Sequence, residues 1–320
     1  MPTFNSMTTR TDAAALIPEA VSAGILQGLP AVSASLSQFR TVRMTRAQER
    51  MPVLSALPIA YWLNTDGADD TLKQTSEMAW GNKYLDVREL AVIIPIPEAV
   101  IDDSDFDIWD EIRPRLTEAF GNALDAATLM NVANPWPETY QKGIAVQAYN
   151  AGNYVLEGSS VAPHNDFAGD ISDTMAKVEE DGFDVNTFWA RRKIRARLRN
   201  LRDDNGNPIY QPIAQGNPAT LYGETLSFVG SGPWVNNYEL IAGDRNAAIL
   251  GIRQDISFKI FTEGVISDAS GNVVLNLMQQ DSVAMRAVGR FAFAVANPVN
   301  AEGVAEATRF PFAVLVNSGS

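Results

Sequence analysis

The sequence predicts a mixed α+β fold, and three observations predict it. Ile108, Ile112, Leu116, Phe120, Leu124 and Ala127 recur near helical spacing over a run that reaches Asn131. Two strand-like stretches, Met51–Leu63 and Met78–Ile96, flank a polar centre as the arms of a long hairpin. From residue 219 to 297 short apolar runs alternate with turn residues. Hairpin, long helix, further helices and then strands is an order that fits neither a βαβ alternation nor a barrel.

Residues 1–50 read as an arm. Leu16–Val21 and Ile25–Leu29 are short apolar patches, Ser33–Gln38 adds a brief turn, and Arg40, Arg43, Arg46 and Arg50 place positive charge on an acidic chain. A segment of this kind buries little of itself, so it is either mobile or laid against something else, another subunit being a candidate. In the first hairpin arm Pro52 and Pro58 argue against a central strand. Asn64–Ser76 reads as a turn or tip. A hairpin this long is marginal alone and calls for a neighbour to pack on.

Asp102-Asp103-Ser104-Asp105 supplies caps and negative charge at the start of the long helix. Pro114 predicts that the helix begins near it or bends there, and Asn134-Pro135-Trp136-Pro137 ends it. Asn165–Asp181, with Phe167, Ile171, Met175 and Val178 on one side, predicts a second helix stopped by Gly182. Asn186 is placed to cap a third, which carries Phe188, Trp189, Ile194, Leu198 and Leu201. Its remaining faces hold Arg191, Arg192, Lys193, Arg195, Arg197, Arg199 and Arg202, and residues 203–208 form a turn. The expected strands after it are Leu226–Val229, Glu239–Ile241, Ala247–Gly251, Ile256–Phe261, Val273–Met278 and Val283–Val295.

Composition narrows the chemistry. With 46% apolar and 20% charged residues the chain is globular. It has no Cys, which removes thiolate catalysis, disulfides, Cys-ligated zinc and iron–sulfur clusters together. A single His, His164, excludes a His-rich metal site, and without a matched nucleophile it reads as a solvated or capping residue. No apolar run is long enough to cross a bilayer, and Met1–Ala14 lacks the pattern of a secretory signal. A net charge of −13 points away from tight nucleic-acid binding.

The acidic stretch Glu98, Asp102, Asp103, Asp105, Asp107, Asp110 and Glu111 could hold a hard cation, but its spacing is not that of a calcium loop, and helix capping explains it more simply. No glycine pattern of a nucleotide-binding loop or nucleophile elbow occurs. The arginine-rich stretch suits pairing with carboxylates of a neighbour or of the long acidic helix, since the guanidinium fork fits a carboxylate in bidentate fashion. No catalytic, cofactor or metal residue is assigned, and the expectation is a protein that is not an enzyme.

Several segments together carry a resemblance. Asn186-Thr-Phe-Trp189 through Leu201-Arg-Asp203, with Gly206, precedes Thr220-Leu-Tyr-Gly-Glu-Thr-Leu226 and Ala242-Gly-Asp-Arg245. Gln280-Asp281, Arg286 and Arg290-Phe-Ala-Phe293 follow. In this order the chain resembles the major capsid proteins of tailed bacteriophages with the Hong Kong 97-type fold, over nearly its whole length. Thr187 stands where that family often has proline, and Glu224-Thr225 replaces an apolar–proline pair.

The resemblance implies an N-terminal arm at 1–50 and an extended loop at 51–95. It implies a peripheral domain at 96–208 with a spine helix at about 107–131, an axial domain at 209–270, and return strands with the C-terminus at 271–320. It further implies pentamers and hexamers of an icosahedral shell around double-stranded DNA bound without sequence specificity. Partners would be penton and hexon neighbours, a scaffolding protein, a portal and a decoration protein, with no membrane and no cofactor. Location would be the virion capsid, assembled in the host cytoplasm. An encapsulin-like protein compartment shares the fold and is the rival reading. On this reading Arg40, Arg43, Arg46, Arg50, Lys73, Trp80, Lys83, Arg191, Arg192, Arg195 and Arg199 are interface candidates. Lys73 and Lys83 lie in the loop that some relatives cross-link, but no partnered asparagine and glutamate are identified.

Overall fold

The computed structural model describes residues 33–58, 76, 78–104, 107–137, 141–160, 166–202, 205, 220–230, 234–235, 237–302 and 304–317. The readings made above for residues 1–32, the loop tip, His164 and most of the 203–208 turn lie outside them.

In the first half of the chain a short helix α1 (Ala34–Gln38) leads into strands β1 (Arg40–Arg43), β2 (Gln48–Ala56), β3 (Ala79–Asp86) and β4 (Arg88–Pro97). Helices α2 (Glu98–Asp102), α3 (Ile108–Met130) and α4 (Ile144–Ala151) follow, then β5 (Tyr154–Leu156) and α5 (Phe167–Glu180). In the second half come β6 (Thr187–Arg191), α6 (Ile194–Asn200), β7 (Thr220–Leu221), β8 (Glu224–Val229) and β9 (Tyr238–Gly243). The rest is β10 (Ala248–Phe261), β11 (Val265–Ser267), β12 (Val273–Asn276), β13 (Ser282–Val295) and β14 (Phe312–Val316).

A six-stranded sheet runs in the order β5-β14-β9-β6-β8-β7. Its central strands are buried on both faces, which is why they read as nearly unbroken apolar runs without alternation. Trp189, Ile241, Phe312 and Val314 face the main core with α3 and α4 residues, including Leu116, Phe120 and Ile144. Phe188, Leu240, Ala242 and Leu315 face the opposite way, onto Ile171 and Val178 of α5 and Ile194 and Leu198 of α6.

The second sheet, β1-β10-β13-β4, presses Met285, Ala287, Phe291 and Phe293 into the same main core. β10 and β13 pair antiparallel from Ala248↔Val295 to Phe261↔Ala284, and β1 joins β10 in parallel. Two hairpins, β2–β3 and β11–β12, stand as two-stranded units.

The long helix departs from expectation at its start. Its N-cap is Asp107, whose carboxylate accepts from the N–H groups of Trp109 and Asp110, while Asp102 and Asp103 close α2. It neither waits for Pro114 nor starts there. The proline ring is on an exposed position, so only the carbonyl of Asp110 loses its intrahelical donor. Asn131 closes the helix in the left-handed conformation at φ 62°.

The expected third helix is corrected more deeply. Phe188 and Trp189 belong to β6, paired in parallel with β8 and antiparallel with β9, and α6 begins only at Ile194. Thr, Phe and Trp are strong strand formers, and a strand lets neighbouring side chains bury on opposite faces where a helix would need one stripe. Asn186 is no cap. Its amide donates to Asp244 Oδ1 at 2.5 Å and its carbonyl oxygen accepts from Arg245 N at 2.9 Å. The spacing read above announces neither α4 nor the strands β1, β5 and β14.

From Ser33 onward, the segment read as an arm is laid against its own chain. The Asp125 carboxylate, buried in α3, accepts from Ser33 Oγ at 2.8 Å, Ala34 N at 3.0 Å and Ser35 N at 2.9 Å. One side chain of the long helix thus holds the start of α1.

Candidate assembly surfaces

The basic residues singled out in the sequence are spread over β1, the β2–β3 hairpin and its approach, β6 and α6. Arg40 and Arg43 project from the outer edge of the β1–β10 pair, and Arg43 meets Asp255 at 2.7 Å in an exposed ion pair. Arg46 and Arg50 are exposed at the approach to the β2–β3 hairpin, with Arg50 across from Tyr84. Such a pair contributes at most about 1 kcal/mol to stability.

The α6 region sorts its arginines in two. Arg191 reaches the buried Glu239 at 3.4 Å, and Arg197 pairs with Glu157 while lying 4.0 Å over the Phe167 ring. Both therefore serve their own chain. Arg195, itself exposed, sets its guanidinium 4.4 Å over the Phe228 ring, and Arg192 and Arg199 are exposed with no carboxylate partner among the described residues. These three make a basic face on an otherwise acidic molecule.

Among the described residues, the hairpin β2–β3 carries the most exposed aromatic side chain. Trp80, opposite Leu54, is 61% exposed, and Met78 and Leu57 beside it are 43% and 36% exposed. On this hairpin Lys83 pairs with Glu306 at 3.0 Å, and Val299 N donates to Leu54 O at 3.0 Å. Gln141 Nε2 donates to Tyr84 O. Three contacts therefore tie the hairpin to the body, and they reach as far as the Leu54–Trp80 register. Lys73 lies outside the described residues.

Two further surfaces escaped the sequence reading. The β11–β12 hairpin exposes Val265, Val273, Val274 and Met278, each more than half. Its turn is set by Asp268, which accepts from Ser270 N at 2.9 Å and Asn272 N at 2.8 Å. The hydrogen bonds from Asn272 hold this carboxyl below the ordinary aspartate value of 3.8. The run Asp268-Ala-Ser-Gly-Asn272 between two valine-rich pieces was the signal that could have found it. The other surface is an apolar groove of about 210 Å³ between α3, the loop after it and β4, lined by Leu90, Ala123, Ala126, Val132, Trp136 and Phe291.

No constellation of a nucleophile with its base appears on these surfaces. Among the described residues no group of three or more His, Asp or Glu side chains could hold a metal ion. Arg309, almost fully buried, spends its guanidinium on Asn297 Oδ1 at 3.1 Å and Val304 O at 2.8 Å, which is structural work. What the surfaces offer is an exposed tryptophan, a basic face and apolar patches, the ingredients of protein–protein contact.

Comparison with known proteins agrees. The family model described as "Phage capsid family" matches residues 13–302. The chain is 29% identical over 243 residues to the major capsid protein of Staphylococcus phage 80alpha, covering 75% of this chain and 69% of that protein. A solved structure from Microbacterium phage Oxtober96 is 37% identical, with a TM-score of 0.83 over 98% of this chain and 100% of that one. One from Mycobacterium phage Adephagia is 28% identical, also with a TM-score of 0.83, over 98% and 99% of the two chains.

Proposed function

This chain belongs to the phage capsid family and is a major capsid protein of an icosahedral phage shell, and from that premise we propose how its surfaces serve assembly. It associates with copies of itself and resides in the virion capsid. We assign the subunits to pentamers and hexamers that enclose double-stranded DNA, held without base recognition. The −13 net charge supports this, because a largely acidic surface gives phosphates little to grip.

The observation that carries the assembly reading is the hairpin β2–β3. It is a two-stranded unit with an exposed tryptophan, held to the body through Leu54, Lys83 and Tyr84. Two strands alone are marginal in water, so a neighbouring subunit that covers the exposed Trp80 side completes it. The basic face of Arg192, Arg195 and Arg199, and the arginines at 40, 43, 46 and 50, are assigned to contacts with acidic neighbours. The boundaries at 1–50, 51–95, 96–208, 209–270 and 271–320 are proposed as arm, extended loop, peripheral domain, axial domain and return strands. Scaffolding, portal and decoration proteins, and assembly in the host cytoplasm, complete the proposal.

The test is particle mass by light scattering, with negative-stain imaging, on the full chain supplied with its scaffold. Megadalton closed shells with five- and six-fold capsomers are expected, and nucleic acid within infection-derived particles marks a virion. A chain that stays a monomer or dimer under those conditions overturns the reading.

A further inference from the structure

The sheet β1-β10-β13-β4 carries a polar cleft of about 210 Å³ on the face turned away from the main core. Its polar side chains are Glu89 of β4, Gln254, Ser257 and Lys259 of β10, and Arg286 and Arg290 of β13. Along β13, residues 286, 288 and 290 are half-buried and alternate with the buried 285, 287, 289 and 291, which sets the cleft side of the strand.

Two rows cross this face, and only one of them is balanced. In the first, Arg290 lies between Glu89 and Gln254, and two of its nitrogens reach Glu89 Oε2 at 2.8 Å. In the second, Arg286 lies between Ile93 and Lys259. Ile93 offers no acceptor, and Lys259 is a second cation set directly opposite. Like charges in that position destabilise a strand pair. Neither Arg286 nor Lys259 has a carboxylate partner among the described residues, and Glu89, the carboxylate that lines the cleft, is taken by Arg290. The other polar groups are paired as well: Gln254 Nε2 donates to Ser257 Oγ at 3.0 Å, and that hydroxyl donates to Val288 O at 3.3 Å.

Arg286 carries a further cost. Its Nε–H is buried without a hydrogen-bond acceptor, while the guanidinium lies 4.8 Å over the Phe261 ring. The ring fixes the plane of the group and supplies no oxygen. A charged donor buried in this state costs free energy until an acceptor reaches it.

We propose that Arg286 and Lys259 form a site for a phosphate group, which sits between the two cations and accepts from Arg286 Nε and Lys259 Nζ. A guanidinium fork takes phosphate oxygens through parallel N–H bonds, and an ammonium adds a point charge. A phosphate also presents enough oxygens to meet both cations at once. Two sources supply that chemistry: free phosphate, and the backbone of the duplex that the capsid reading encloses. Only the second rests on that reading, and it would make this face of the sheet the one that looks into the shell.

The test uses the unassembled full-length chain. Saturating inorganic phosphate, with ionic strength held constant by chloride, is expected to raise the thermal midpoint by about 2 °C or more. Arg286→Gln and Lys259→Gln are each expected to abolish that rise. Lys177→Gln, which removes one exposed charge from α5, is expected to keep it. Lys259 is exposed, so its variant tests the site even where Arg286→Gln unfolds the sheet. A short labelled duplex is the second probe. Both cleft variants are expected to bind it at least threefold more weakly, with the slope of log affinity against log salt reduced by about 1. Loss of the phosphate shift with duplex binding unchanged assigns the site to free phosphate, and loss of both assigns it to the backbone. No shift in the parent, or equal shifts in the parent and the cleft variants, overturns the site. A parent chain that forms no particles with scaffold present overturns the capsid reading and leaves the phosphate result standing.

Discussion

Asp125 shows how much a single side chain settles. It sits inside the long helix at a position where the apolar spacing gives no reason for a carboxylate, and its partner Ser33 is 92 residues away in sequence. Three donors converge on it, two of them backbone N–H groups that have no other acceptor once buried. Asp125→Ala is expected to cost about 3 kcal/mol, since charge-assisted bonds are lost and buried donors are left unpaired. A fall in the urea midpoint of the unassembled subunit checks it, with Ala126→Ser on the same helix as the mild comparison. Gly143 is a second such point. A Cβ there would lie 2.2 Å from the backbone nitrogen of Asn131, so Gly143→Ala forces the α3–α4 connection apart and is expected to destabilise by about 1–3 kcal/mol in the same assay. Neither residue was legible beforehand, because a long-range cap and a close backbone approach leave no periodic trace.

At the scale of elements, what could be read depended on how many faces a segment buries. α3 shows one apolar stripe, and its spacing revealed it, although the cap and the tolerated Pro114 were misjudged by part of a turn or more. β6 buries both faces, so Phe188-Trp189 looks the same to a pattern search as the start of the helix that follows it. β14, five residues all buried, gave no alternation to find. The hairpin β2–β3 and its exposed Trp80 were legible, since proline and a polar centre mark an edge pair. The basic face was legible in part. Its charge was plain, but not that Arg191 and Arg197 are taken by Glu239 and Glu157 of the same chain.

The β11–β12 hairpin carries a pH prediction. The Asp268 carboxyl is depressed by the hydrogen bonds of Asn272 first, with Ser270 and Gly271 adding to them. A depressed carboxylate favours the folded turn above the ordinary value of 3.8, and that preference is lost as pH falls through the lower folded value. Amide exchange at Ser270 and Asn272 is therefore expected to quicken below about pH 3.8, relative to the turn-free strand β12, and Asp268→Asn is expected to flatten that response. An exchange profile that ignores pH in this range would rule the turn out as the titrating unit.

For the whole molecule, assembly should separate from folding. Residues 33–43 are part of the body through α1, Asp125 and β1, so a cut at residue 40 would damage the subunit itself. Removing residues 1–32 is expected to leave a subunit with parent-like thermal unfolding but to cut closed shells severely, as counted by negative stain. Reversing Arg192 and Arg199 together to Glu is expected to do the same through the basic face. The parent's assembly yield should also fall as salt rises from about 0.1 M to 1 M, where the screening length drops from about 10 Å to 3 Å. A truncated or charge-reversed chain that builds normal shells removes that segment or that face from the assembly contacts.

The six-stranded sheet has one more consequence, in time. β14 lies between β5 and β9, so until residues 312–316 exist the sheet is two fragments with an open slot lined by backbone. Ribosomes add about 5–20 residues per second, so a nascent chain spends roughly 16 s to a minute without the strand that joins β5 to the rest of the sheet. Throughout that interval the main core lacks Phe312 and Val314 and cannot set hard. A polypeptide stopped before Phe312 should remain protease-sensitive throughout. In a crowded translation site, where many unfinished copies of one sticky protein lie side by side, a lock that clicks shut so late keeps partial chains from being built into a growing lattice.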